Sequence, residues 1–210
     1  MSNAVGLGCL EEFKERALQH IRSEGWRAQI AELFVHFDHA RARTLIGRTN
    51  QFPSTDLRYM VEKGAIGVAV NAAALLHHFG QLAGEGYLVC EYDLWGSKDV
   101  DARHGERVFD IGFLRPIGAN RSVMFNIESK NYETVGVQSL RKLSKQILYD
   151  TRRLNPRRGL QPIVPVWTFM QGLDQGARLD LEARGFRVVD FTRPDLFMEM
   201  RQALAVPGTR

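Results

Sequence analysis

Val108-Phe109-Asp110-Ile111 and Ile127-Glu128-Ser129-Lys130 are the two stretches from which the fold is read. Both belong to runs rich in Val, Ile and Phe, the residues that favour strands. Between them lies the turn chemistry of Pro116-Ile117-Gly118-Ala119-Asn120. The reading is a hairpin, with strands expected over 107–114 and 122–131. Side chains on a strand alternate between faces. Phe109, Ile111 and Phe113 therefore share one face, and Asp110 shares the other with Val108 and Gly112. On the second strand Phe125, Ile127 and Ser129 form one set, with Glu128 and Lys130 opposite them.

Folding the hairpin about Gly118 and Ala119 brings Glu128 opposite residue 109, to within one or two positions. Asp110 and Glu128 then become cross-strand neighbours with Cβ atoms about 5–6 Å apart. Two carboxylates so close repel unless a cation lies between them. A divalent metal is expected there, Mg²⁺ or Mn²⁺ by the preference of hard cations for carboxylate oxygen, with Lys130 beside it. Such a set suits hydrolysis of a phosphodiester: the metal polarises the phosphate and activates water. The lysine orients the nucleophile or stabilises charge at phosphorus. The tripeptide alone does not carry this reading, because Glu12-Phe13-Lys14 repeats it inside a helical pattern. What carries it is the hairpin, the acid on the partner strand and the basic helix that follows.

That helix is expected over 135–154. Gln138, Lys142, Lys145, Tyr149 and Arg152 are spaced four, three, four and three apart and form one stripe. Leu140, Leu143, Ile147 and Leu154 supply the buried side. Between Arg141 and Arg158 seven basic residues stand against the single acid Asp150. A basic stripe beside a metal site would neutralise phosphates along a nucleic-acid backbone. Gln138 or Gln146 is placed to hydrogen-bond the substrate or a lysine.

Outward from this centre the chain divides near residue 85. Before it the pattern is helical: 11–23, 26–46 (Ile30, Leu33, Phe34, Phe37) and a long helix from Ser54-Thr55-Asp56 to about Leu82. After Gly84-Glu85-Gly86 the period becomes two, with further strands expected over 87–94, 163–170 and 187–191. Helices are expected over 173–184 and from Pro194. The fold class is α/β, a mixed sheet flanked by helices. No glycine-rich turn follows a strand, which excludes a Rossmann unit. A helical N-terminal part, 1–55, precedes a second unit, 56–210. His36-Phe37-Asp38-His39 would not converge on one ligand if helical, and His77-His78 are adjacent and face apart.

The 210 residues are 44% hydrophobic and 25% charged, which excludes a disordered chain or a coiled coil. The net charge of +4 leans towards a polyanionic partner. Cys9 and Cys90 make no disulfide framework and no zinc pair, which points to a reducing compartment. The longest apolar stretch, 64–76, is short for a membrane span and is interrupted by Asn71. No secretory signal is recognised, so neither a span nor a leader is expected.

Asp110, then Glu128-Ser129-Lys130, then a glutamine-bearing helix and a strand, resembles the PD-(D/E)xK nuclease superfamily. The resemblance runs over about residues 57–193. The stretches 140–149 and 181–189 are similar to nuclease domains of bacterial polymorphic toxins, including effectors of contact-dependent inhibition. It implies a restriction-endonuclease-like core, Asp110 and Glu128 as metal ligands, Lys130 as catalytic lysine and Gln146 as a helper. It implies a nucleic-acid substrate, DNA ahead of tRNA, and a cognate immunity protein as partner. It further implies action in the cytoplasm after delivery within a larger secreted protein. The chain departs from the family pattern at Phe109, where proline is usual. It departs again after Gly64-Ala65-Ile66-Gly67, where Val68 stands in place of a glutamate; Glu62 or Glu91 are the substitutes. The alternatives are a housekeeping, mobile-element or defence nuclease of the same fold, and an inactive nucleic-acid-binding module.

Overall fold

The computed structural model describes residues 7–53, 55–80, 87–93, 108–118, 121–133, 140–142 and 161–206. Four helices come first: α1 (Leu7–Leu18), α2 (Glu24–Val35), α3 (His39–Arg48) and, after a 3₁₀ turn at Thr49–Gln51, α4 (Leu57–Gly80). Strands β1 (Tyr87–Asp93), β2 (Val108–Gly118), β3 (Arg121–Lys130) and β4 (Gln161–Phe169) follow. Helix α5 (Gln175–Ala183), strand β5 (Arg187–Asp190) and helix α6 (Leu196–Ala203) close the chain. Of the basic helix expected over 135–154, only 140–142 are described, and they are helical.

Two expectations are corrected. The single helix over 26–46 is two helices, because the backbone turns extended at His36, the C-cap of α2, and Asp38 starts the next. Its backbone is extended, and its carboxylate accepts the Arg41 N–H at 2.9 Å as the N-cap of α3. The apolar spacing continues through the break because Phe37 is buried on its far side. The hairpin turn is also tighter than expected. β2 runs on to Gly118, and a register shift between Pro116 and Gly118 absorbs the proline, which cannot donate to a ladder.

The strands form one mixed sheet in the order β1-β2-β3-β4-β5. β1, β2 and β3 pair antiparallel, whereas β4 adds to β3 and β5 to β4 in parallel. One core contains Ile111, Phe113, Phe125 and Ile127 of the sheet with Ile66, Val70 and Leu75 of α4, and extends to Phe13, Ile30 and Leu45 of α1 to α3. The helical N-terminal part therefore shares a core with the sheet. A second cluster joins Trp167 and Phe169 to Leu140, Leu181 and Phe186. Trp167 pairs with Glu128, which places it on the face opposite α4.

α4 has the length and apolarity of a membrane span over Leu57–Phe79, with mean hydropathy 1.3, yet 56% of that window is buried inside the protein. Its close fit depends on Gly67. A Cβ there would lie 2.8 Å from Asn131 Cβ, and Asn131 is fixed by donating to the Lys63 carbonyl at 2.8 Å and accepting from Gln171 at 2.8 Å. Gly64 has open space around it. Gly67→Ala is expected to lower stability by about 1–3 kcal/mol through overpacking. Gly64→Ala is expected to raise it by roughly 0.5–1 kcal/mol through helix propensity. Thermal unfolding of both variants checks this, and equal behaviour would contradict the packing.

Candidate functional site

The hairpin opens where the chemistry was expected. Pairing of β2 with β3 runs from Gly118↔Arg121 to Ile111↔Ile127, while β2 stays paired with β1 as far as Asp93↔Val108. Continued by one residue, the β2–β3 register sets Asp110 opposite Glu128. Beyond Ile111 the ladder contributes no partner for the Ser129 N–H, and the Asp110 side chain takes that place: its Oδ2 accepts the amide at 2.7 Å. The Ser129 hydroxyl points to α4, where it accepts from Asn71 at 2.9 Å.

Glu128 and Lys130 lie two apart on one strand face, and the lysine donates to Glu128 Oε2 at 3.0 Å. Its ammonium also sits 5.6 Å from the centre of the Trp167 ring. Burial acts to discharge Lys130, but the Glu128 and Asp110 carboxylates outweigh it and hold the amine above the ordinary lysine range. Glu128 is only 7% exposed, and its second oxygen, Oε1, is buried without a hydrogen-bond partner. On the same face, Asn126 Nδ2 and Oδ1 and Trp167 Nε1 are likewise buried and unpartnered.

This donor set fits a hard cation: two carboxylates, one of them with a desolvated oxygen not otherwise engaged. Among the described residues no group of three or more His, Cys, Asp and Glu is placed to hold a metal. Two carboxylates are nevertheless what Mg²⁺ ordinarily takes from a protein, with water and substrate phosphate completing its shell. A cleft of about 320 Å³ opens onto Asp110, Ser129 and Lys130.

Of the substitutes for the absent helix glutamate, Glu62 has other employment. Its carboxylate accepts the Arg22 and Ser23 N–H groups at 3.0 and 2.9 Å, which caps the start of α2. Glu91 stands between the pairs Cys90↔Ile111 and Tyr92↔Phe109, so β1 register sets it opposite Asp110; its side chain lies outside the described residues. Lys142 is exposed beside buried Leu140. Gln138, Lys145, Gln146, Tyr149 and Arg152 lie outside the described residues. His36-Phe37-Asp38-His39 is a helix junction, in which His39 Nε2 meets the Phe191 carbonyl at 2.6 Å. The residue sequence reasoning missed is Asn71. It is wholly buried in an apolar helix, and that polar interruption was the available signal.

No family model matches the chain, and neither the curated proteins nor the solved structures give a match.

Lys130→Met leaves Glu128 buried without its cation. In metal-free buffer at pH 7 it is expected to cost about 3 kcal/mol, the lower end for a broken buried pair. Because the folded-state pKa is raised, the contribution of the pair is fully present below about pH 10 and is lost as pH rises through the folded value. Denaturant titrations should find the gap between wild type and variant closing above that pH; a gap unchanged to pH 12 contradicts the ion pair as its source. Glu62→Ala is expected to lower stability by about 1–2 kcal/mol, as loss of a helix cap does. It should leave Mn²⁺ affinity, measured by calorimetry, unaltered.

Proposed function

We propose that this chain is a divalent-metal-dependent nuclease with a restriction-endonuclease-like core, hydrolysing phosphodiester bonds in nucleic acid as an interbacterial toxin effector domain. One observation carries the reading: at the fork of β2 and β3 the Glu128 carboxylate is buried with Oε1 unpartnered, beside Asp110 and against Lys130. The resemblance of Asp110 and Glu128-Ser129-Lys130 to the PD-(D/E)xK pattern supports it.

Asp110 and Glu128 would hold Mg²⁺ or Mn²⁺. When bound there, such an ion would polarise the phosphodiester and lower the pKa of an attacking water. The chain's own residues do the rest. The Ser129 N–H fixes one oxygen of Asp110 and so the direction of its carboxylate. Lys130, kept protonated by its two acidic neighbours, supplies a fixed positive charge where negative charge builds on the phosphorus oxygens. Trp167 and Glu128 hold that ammonium in place and limit its motion. The exposed Lys142 and its basic neighbours in sequence, Lys145 and Arg152 with Gln138, would lie along the substrate backbone, and Gln146 would assist at the site. A toxin of this kind acts in the cytoplasm of the cell it enters, and its own producer needs an immunity protein.

A second reading, a catalytically silent nucleic-acid-binding module, is favoured by one observation: the only acid of α4, Glu62, is committed to capping α2. Plasmid DNA and total tRNA, incubated with the chain and Mg²⁺ or Mn²⁺, separate the two readings. The nuclease reading expects cutting that EDTA stops. It also expects Asp110→Ala and Glu128→Ala each to reduce the rate by at least about 100-fold, the order seen when one group stabilising a transition state is removed. Growth arrest on cytosolic expression, relieved by Lys130→Ala, is the expected mark of a toxin. Binding of nucleic acid with no turnover under either metal would sink the nuclease reading in favour of the module.

A further inference from the structure

We infer that the cleft beside the site seats one unpaired nucleotide, so that the substrate is engaged as a single strand; the inference rests on the nucleic-acid reading above and adds the form of the substrate. The cleft has a wall that no part of the site predicted. Helix α1 contributes Arg16 and His20 to its lining, facing Asp110 and Lys130 at the sheet edge, and α4 contributes Val61 and Val68. Tyr132, two residues past Lys130, stands 46% exposed at the same opening.

This pairing of chemistries is specific in kind. Arg16, His20 and Lys130 are nitrogen donors suited to phosphate oxygens. Val61, Val68 and the Tyr132 ring form an apolar rim suited to the face of a base. Single-stranded nucleic acid is bound by that combination, with bases stacked on aromatic rings over a basic groove. Paired bases keep their faces stacked within the duplex and offer only their edges in the grooves. Arg16 is held by Glu12 at 2.7 Å, but that pair is half-exposed and contributes little. A phosphate can replace the carboxylate at small cost. The volume, about 320 Å³, lies at the low end of the range for small-ligand pockets and suits one nucleotide rather than a duplex. α1 is thereby a substrate-binding element as well as a packing one.

The test uses the full chain in EDTA, which removes turnover, with labelled twelve-nucleotide DNA and RNA strands and the matching duplexes in fluorescence anisotropy. The expected result is that the single strands bind at least tenfold more tightly than the duplexes. Tyr132→Ala should then weaken single-strand binding by about tenfold, the scale of one lost base stack, while Tyr132→Phe retains it. Arg16→Ala should reduce the dependence of affinity on salt, as loss of a phosphate contact does. Each variant is exposed, and unchanged thermal unfolding confirms that it folds. Equal or tighter binding of duplex, or Tyr132→Ala binding as wild type does, overturns the inference, and so does binding of neither form. Failure of the nuclease reading looks different: single strands bind in EDTA but remain uncut when Mg²⁺ or Mn²⁺ is added.

Discussion

Burying the Glu128 carboxylate sets the terms for everything around it. A carboxylate removed from water must be paired and hydrogen-bonded, or it takes up a proton. β3 is a central strand, flanked by β2 and β4, and Glu128 on it is only 7% exposed. Lys130 answers part of the demand from two residues away, where the pleat returns a side chain to the same face. Lys130 is held in turn by the Trp167 ring on β4. The parallel strand therefore enters the site without contributing a charge. The parting of β2 from β3 after Ile111 completes the arrangement, because it frees the Ser129 N–H for Asp110.

The rigidity of this end of the sheet comes from α4. Its buried run 69–75 is mostly alanine, which lets the helix approach the sheet closely, and two amides fasten it there. Asn71 reaches Ser129 directly behind the Asp110 contact. Asn131, just past Lys130, ties β3 to Lys63 of α4, to Thr49 and to Gln171 after β4. Site residues on both sides of Ser129 are thus anchored to the same helix, and Gly67 is small because Asn131 needs its space.

The hairpin, its two acids and its lysine were legible because strand periodicity is local: alternation assigns faces without knowledge of the fold, and a symmetric turn fixes register to within a residue or two. The mixed sheet was legible in the change from adjacent strands to strands separated by helices. What was not legible depends on contacts between residues far apart in sequence. Glu62 reads as a free acid one turn before Gly67, yet two backbone amides forty residues earlier occupy it. The break at Asp38 was missed because Phe37 keeps the apolar spacing intact through it. Asn71 read as a flaw in an apolar stretch, whereas it is the helix's side-chain link to Ser129 behind the site. The cleft wall from α1 had no signal, since Arg16 and His20 acquire meaning only when α1 is laid beside β3.

The energetic balance at Glu128 supports the proposed site. A buried ion pair is weak support for stability, and replacing it with apolar side chains of similar volume is often neutral or favourable. The unpartnered Oε1 deepens the cost, since a buried polar atom without a bond costs about 1–3 kcal/mol, and more when charged. Asn126 and Trp167 add three more such atoms within the same patch. The other face is filled at its centre by Ile111, Phe113, Phe125 and Ile127, and its buried polar pair is Asn71 with Ser129. Towards the turn both faces are apolar, with Met124 buried on the face of Glu128; towards the strand end that face carries Asp110, Glu128 and Lys130. Local violations of packing rules concentrate where a site must stay ready for a ligand that folding itself does not require. A hard cation with a phosphate is the ligand whose charge and oxygen preference would relieve the strain at this position.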